Sequence, residues 1–480
     1  MISSEKLPES ENPVPLVSRD CVALEDVRPE RAPLSDKPRL QQSLLDRLLQ
    51  RAGGGRTPAA LFDQGLVSGA NFVTNVLLAR ALGIKEYGVF ALAWTAVMFA
   101  NSLQYALIVT PMMSVGPKQE PEERPSYYGS VLLQEITFAL LAALTMFASV
   151  QLSTVYFPQW EVGNLALPIS GATLAYLLQE FLRRYFFCTG RSKRALTTDV
   201  LSYLLQLPII FWILHSHGAN LSNVLWIIAA TSFTGFVLCM RWFEPITLDA
   251  PSVRKVFVRH WRISRWLAPT AFMQWGAGNL FLLAAPVYYG AAASALLRAA
   301  GNIVGVAHVW FLGLDNVVPA RAARLLHLEG VDGMLRYLKG IVLRWGGVTL
   351  AFATSVACFP SFWLRLIYGT KYSSDGSVLR LYALLYLFVF IAGPLRAALQ
   401  ALEYTKPIFW AYPAMIAFSI ALAGPLARTL GLNGVMLGMC AVQLIAQSIV
   451  GTALWLRVQR IHRMSTPENV GSYTHQEASM

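Results

Sequence analysis

Apolar residues run along this chain in blocks of about 20, each closed off by a short polar stretch. The blocks lie near 60–82, 88–112, 129–152, 164–187, 196–215, 221–243, 266–289, 294–320, 341–361, 377–401, 406–427 and 432–456. A helix of that length crosses a hydrocarbon core about 30 Å thick. The expected fold is therefore all-α: a polytopic membrane protein with about 12 transmembrane helices.

The polar stretches order these helices. Residues 1–57 are rich in Pro, Glu, Asp and Arg and are too polar to fold alone. Within them "LQQSLLDRLLQRAGGG" reads as a short amphipathic helix on the membrane surface, or as a transient helix in a disordered tail. Two six-helix lobes follow, at 58–243 and 266–457, joined by a basic linker at 244–265 and trailed by a tail at 458–480. An internal repeat supports the halves. Gly88 opens span two and Pro111 ends it, while Ala295 opens span eight and Pro319 ends it at nearly the same separation. Aligning Arg183 with Arg396 also aligns Lys193 with Lys406. Parallel repeats of this kind form transporters that bind cargo between the halves, which places a central cavity between the lobes.

Charge sets the orientation. The chain is 55% hydrophobic, 14% charged and carries a net charge of +12. Lys and Arg cluster around the fourth, sixth and eighth loops, whereas "STVYFPQWEVG", "HSHGANLSN" and "YGAAAS" contain neither. The positive-inside bias puts the basic loops and both termini in the cytoplasm, so the surplus charge calls for no nucleic-acid partner. The N-terminus lacks a basic start followed by an apolar core, so no secretory leader is expected. Five scattered cysteines have neither metal spacing nor a disulfide framework. The two histidines of "HSHG" have no third ligand nearby. Neither cofactor nor metal is expected, and no catalytic signature stands in a long extramembrane segment.

Polar residues inside the spans are the candidate chemistry, because a charge at the bilayer centre costs roughly 3 kcal/mol unless it faces a cavity or partner. On span eight, Arg298, Asn302, Gly305 and Asn316 share a stripe flanked by His308 and Asp315. Gln64, Ser68, Asn71 and Asn75 share a face of span one. Span two offers Asn101, Gln104 and Tyr105 about its middle, span seven Gln274 and Asn279, and span ten Arg396 and Gln400 behind Pro394. Arg183 and Arg396 read either as inner-end anchors or as cavity cations. Amides match sugar hydroxyls, and guanidinium forks match phosphate or carboxylate, so the lining suits an anionic, hydroxyl-rich ligand. Asp315, with Asn316 beside it, Glu135 and Asp199 are the candidates for coupling to an ion gradient or for gating. Glu180 reads as a partner of Arg183 or Arg184 one turn on.

These segments resemble a family. "FDQGLVSGANFVTNVLLARALGIKEYGVFALAW" and "ALIVTPMMSVGP" are similar to the opening of polysaccharide-lipid flippases, through Gln64, Asn71, Phe72, Leu77 to Gly83, Tyr87, Gly88, Phe90 and Pro111. "GAAASALLRAAGNIVG", "LDNVVPARAARL" and "RAALQALEYTKPIF" extend the resemblance over nearly all of residues 60–456. The family comprises the O-antigen (Wzx-type) and exopolysaccharide translocases of the multidrug/oligosaccharidyl-lipid/polysaccharide exporter superfamily. The resemblance implies alternating access by two lobes around a V-shaped cavity. It also implies a polyprenyl-diphosphate-linked oligosaccharide as cargo, the inner membrane as location, and polymerase or export proteins as partners. Arg298, Arg396 and Arg183 are the positions of suitable type to meet the diphosphate. The extended N-terminal tail departs from the family pattern. Two other readings compete. A cation-coupled drug exporter of the same superfamily calls for acids in the first lobe's cavity, where span one is neutral. A glycosyl polymerase or ligase calls for a large outer loop, and the longest here is only residues 361–376.

Overall fold

The computed structural model describes residues 57–156, 162–216, 220–372 and 376–464, and among them every regular element is helical. The surface helix expected near residue 45 lies outside them, as do the N-terminal tail and the chain beyond Met464. The elements are α1 (Thr57–Gln104), a π turn (Tyr105–Val109), α2 (Thr110–Val115), α3 (Arg124–Tyr156) and α4 (Ala166–Cys188). Then come α5 (Ser192–Asp199), a second π turn (Val200–Leu204), α6 (Leu205–Ser216) and α7 (Leu221–Met240). The second half holds α8 (Ala250–Tyr289), α9 (Ala291–Gly305), α10 (His308–Cys358), α11 (Pro360–Tyr368), α12 (Gly376–Ala401) and α13 (Lys406–Met464).

Each of the twelve apolar blocks is helical over most of its length. Among the described residues eight helical stretches are long and apolar enough to cross a membrane, and three of these double back on themselves. In α1 the reversal is at Gly83, whose φ of 79° with ψ of 173° is a backbone state essentially confined to glycine. Its sharpness is visible in one bond. Tyr87 and Asn75 would stand about 18 Å apart on a straight helix, yet their side chains meet at 3.1 Å. In α10 the turn is at Gly330, so Trp310 reaches Thr349 at 3.1 Å and Arg321 stacks on Tyr337. In α13 it is at Gly431. Block 266–289 does not reach the same apolarity, because Gln274, Asn279 and two internal prolines dilute it.

Backbone geometry repeats between the halves. Gly83 and Gly290 share the same rare conformation and stand at the offset that relates Gly88 to Ala295. Gly190 and Glu403 both have positive φ and stand at the offset that relates Arg183 to Arg396. The first half packs chiefly through α4 against α3 and α7, and the second through α8 on α13 and α10 on α12. They meet where α9 lies on α1, closely enough that a Cβ on Gly88 would fall 1.9 Å from the Ala291 carbonyl oxygen.

Most of the stretch expected as a basic linker, 244–265, is helical. Residues 250–265 are the first turns of α8, capped by Asp249, whose side chain accepts from the Ser252 amide at 2.9 Å. Hydrogen bonds from Ser252, and another from Ser126, hold the Asp249 carboxyl below the usual carboxylate range. Val256, His260 and Ser264 recur every four residues and are buried against the first half. Tyr127 bonds His260 at 3.0 Å, and Ser264 donates to the Leu107 carbonyl at 3.0 Å. Burial, with Arg259 alongside, pushes the His260 imidazole down to about 4. The dense positive charge disguised an amphipathic helix. The helix of α13 also runs past 458, where the trailing tail was expected to begin.

Candidate functional site

The polar residues of the spans gather in three places rather than along one shared lining. The first lies between the halves, at the end marked by Gly83 and Gly290. Asn75 is held by its own helix, donating to the Asn71 carbonyl at 2.8 Å. Its Oδ1 accepts from the Tyr87 hydroxyl at 3.1 Å and from Arg298 Nε at 3.4 Å. Asn302 donates to the same hydroxyl at 3.2 Å. Arg298 and Asn302 project from α9 one turn apart, which is why both reach α1. Nearby, Arg80 donates to the Leu366 and Ile367 carbonyls, both at 2.7 Å, and Tyr372 donates to the Ala79 carbonyl at 3.3 Å. Tyr87 is fully buried and meets Tyr372 edge to face. This knot fastens the halves at one end.

The second cluster is buried inside the first half. Arg183 Nε meets Asp199 Oδ2 at 2.7 Å and its Nη1 meets Glu180 at 3.2 Å. Arg184 adds a bond to Glu180 at 2.9 Å, Tyr105 adds another at 3.0 Å, and Gln179 donates to Asp199 at 3.1 Å. Two guanidinium groups thus neutralise two carboxylates. Arg183, expected as an inner-end anchor or a cavity cation, and Asp199, expected as a coupling acid, hold each other in an ion-pair network that welds α4 to α5. Glu180 pairs with both arginines as the spacing implied.

Glu135 differs from these acids. It is fully buried on α3, and its Oε1 accepts from Gln104 Nε2 at 2.6 Å, while the same nitrogen also donates to the Leu177 carbonyl at 2.7 Å. Glu135 Oε2, Gln104 Oε1 and Asn101 Oδ1 are buried with no protein hydrogen-bond partner. These are acceptors without donors, and no cationic side chain pairs with Glu135 among the described residues. A proton or a small hard cation is what such a set of oxygens can take up.

The third cluster is a cavity of about 100 Å³ between α10 and α12. It brings Asp315 and Arg396 together with His308, Gly393 and Pro394. The Tyr386 hydroxyl and His308 Nε2 are 3.0 Å apart at one edge. Arg396 and Gln400 are exposed, and Arg396 has no ion-pair partner among the described residues. Asn71 is half-buried, Gln274 is exposed, and Asn279 turns back to the Trp275 carbonyl at 2.9 Å. The side chains of Gln64 and Asn316 lie outside the described residues. Sequence reasoning placed Gln104 in the middle of span two and gave Tyr87 only as part of the family resemblance, not as a site residue, although its hydroxyl is the hub of the first cluster. The signal available was a tyrosine four residues past the Gly83 turn, on a helix already carrying Asn75.

No protein-family model matches the chain, and no curated protein sequence does. Solved structures do resemble it. An inward-facing multidrug resistance MATE family transporter of the MOP superfamily superposes with a TM-score of 0.63 at 12% identity, over 83% of this chain and 96% of that one. An outward-facing structure of a multidrug resistance MATE family transporter of the same superfamily gives 0.54 at 14%, over 87% and 99%. A MOP superfamily transporter from Pyrococcus furiosus, described by the reverse polarity of its binding pocket, gives 0.58 at 13%, over 86% and 98%. The chain therefore has the polytopic all-helical fold of MATE transporters.

Proposed function

We propose that this protein is an alternating-access membrane transporter that moves a polyprenyl-diphosphate-linked oligosaccharide across an inner membrane. The observation that carries the reading is the knot of Asn75, Tyr87, Arg298 and Asn302, a set of polar side chains that bridges the two halves at one end. Such bonds are individually worth about 1 kcal/mol net, so the joint can open and reclose. Proteins of the same fold that bear the name transporter support it, as does the closer superposition on the inward-facing form. With the basic loops in the cytoplasm, both termini are cytoplasmic and the knot closes the far side.

The cargo class rests on chemistry. Arg396 offers an exposed guanidinium fork with no ion-pair partner among the described residues beside a cavity, with the Gln400 amide one turn on, and suits a diphosphate bearing sugars. Asp315 stands in the same cavity as the gating group, its charge opposed to that of an anion bound at Arg396. Glu135, with its unpartnered Oε2, is the coupling acid. That last feature also favours a second reading, a cation-coupled small-molecule exporter. A deletion strain separates them. Flippase loss leaves the lipid-linked repeat unit fully assembled and inaccessible from outside, whereas exporter loss leaves surface polysaccharide untouched. An unfinished sugar chain points to a polymerase or ligase and overturns both.

A further inference from the structure

The hairpin of α10 holds a second cavity, of about 660 Å³, backed against the first and sharing Leu314, Val318 and Ile341 with it. Its walls are graded. The arms leave the apolar blocks at 320 and 341, so Arg321 and Arg344, both exposed lining residues, stand at headgroup level on opposite arms. Arg336 lines the groove nearer the Gly330 turn. Farther from the turn the walls become Trp310, Val317 and Trp345, with Gly313 and Gly340 leaving room between the arms. Charge at this mouth is unbalanced. Glu329 approaches Arg336 only at 3.8 Å on exposed side chains, Arg321 stacks on Tyr337, and Arg344 has no ion-pair partner among the described residues.

We propose that this groove holds an anionic phospholipid from the leaflet at the basic end of the bundle. The phosphate sits between Arg321 and Arg344, and an acyl chain lies along Val317 and Trp345. Guanidinium forks on two arms grip a phosphate bidentately, and exposed apolar walls below them call for a chain rather than water. A free phosphate leaves those walls unfilled, so the occupant is the lipid. Bridging both arms also splints the hairpin, which shares a wall with the Asp315–Arg396 cavity.

The test uses the full-length protein in nanodiscs made of equal parts phosphatidylcholine and phosphatidylglycerol, with retained lipid measured by native mass spectrometry. Wild type is expected to retain phosphatidylglycerol preferentially. Arg321→Gln with Arg344→Gln should cut that preference roughly tenfold or more, while Arg428→Gln, whose side chain stacks on Tyr288, leaves it unchanged. Arg344→Gln alone, at an exposed side chain, should cut it severalfold and carries the test if the double variant does not fold. Equal retention of the two lipids by wild type, or an undiminished preference in Arg344→Gln, overturns the site. Displacement by millimolar glycerol phosphate overturns the lipid in favour of a free phosphate. Displacement only by a polyprenyl diphosphate makes the groove a cargo site and overturns the resident phospholipid.

Discussion

Tyr87→Phe isolates the knot between the halves. Phenylalanine keeps the ring against Phe90 and Tyr372 and removes only the hydroxyl, so no cavity forms. That hydroxyl donates to Asn75 at 3.1 Å and accepts from Asn302 at 3.2 Å. Two neutral bonds at about 1 kcal/mol each give about 2 kcal/mol, or roughly a 30-fold shift toward the separated form. The Arg298 bond to Asn75, at 3.4 Å, survives in the variant and caps the effect. Spin labels on the exposed positions Glu86 and Lys371, in a cysteine-free background, report the separation by electron–electron resonance. Wild type should give one short distance, and Tyr87→Phe a second, longer population. A single unchanged distance in the variant, with the fold intact, would refute the view that these bonds hold the end closed.

Other consequences follow from single residues. Glu135→Gln should leave cargo binding intact yet abolish the response of transport to an imposed proton or sodium gradient; retained coupling in proteoliposomes removes Glu135 from that role. Arg396→Gln should weaken binding of a diphosphate-bearing ligand roughly 10- to 100-fold, the range for a lost charge-assisted contact, as read by microscale titration. Asp199→Asn leaves Glu180 alone against Arg183 and Arg184, one buried positive charge in excess, and should cost about 3–5 kcal/mol, lowering the thermal midpoint sharply; a midpoint within a degree of wild type contradicts the buried network. His260 sets a pH window. Its folded value near 4 lies below the unfolded value of about 6.5, so its contribution is present above pH 6.5 and fades as pH falls toward 4. The shift corresponds to about 3 kcal/mol. Hydrogen exchange in residues 250–265 should accelerate over that range and should not do so in a His260→Asn variant.

Spacing carried much of the fold. Blocks near 20 residues located the helices because lipid forces each backbone group to bond within its own segment. The repeat was legible at Gly88 and Ala295, and the geometry of Gly83 and Gly290 gives it a physical basis. The α8 arm was not legible as helix, since five positive charges masked the recurrence of Val256, His260 and Ser264. The candidate site was half legible. Helical phase grouped Asn71 with Asn75 and Arg298 with Asn302, and it placed Asp315 near a cavity. Phase on one helix says nothing about which helix lies opposite. Hence Arg183 read as an inner-end anchor or a cavity cation although Asp199, sixteen residues on, was its partner, and Arg396 read the same way yet has no ion-pair partner among the described residues. The site role of Tyr87 was not legible because it depends on the Gly83 reversal bringing it back to Asn75.

Translocation itself can be watched in proteoliposomes loaded with a fluorescent polyprenyl-diphosphate oligosaccharide, by following how fast an added membrane-impermeant quencher gains access to the inner-leaflet label. Wild type should expose that pool at a rate that rises with protein density, and Arg396→Gln should slow it to the rate of empty liposomes. Equal rates with wild-type protein and with empty liposomes, in vesicles where Glu86 and Lys371 labels still report a folded protein, would mean that this chain does not move such a lipid.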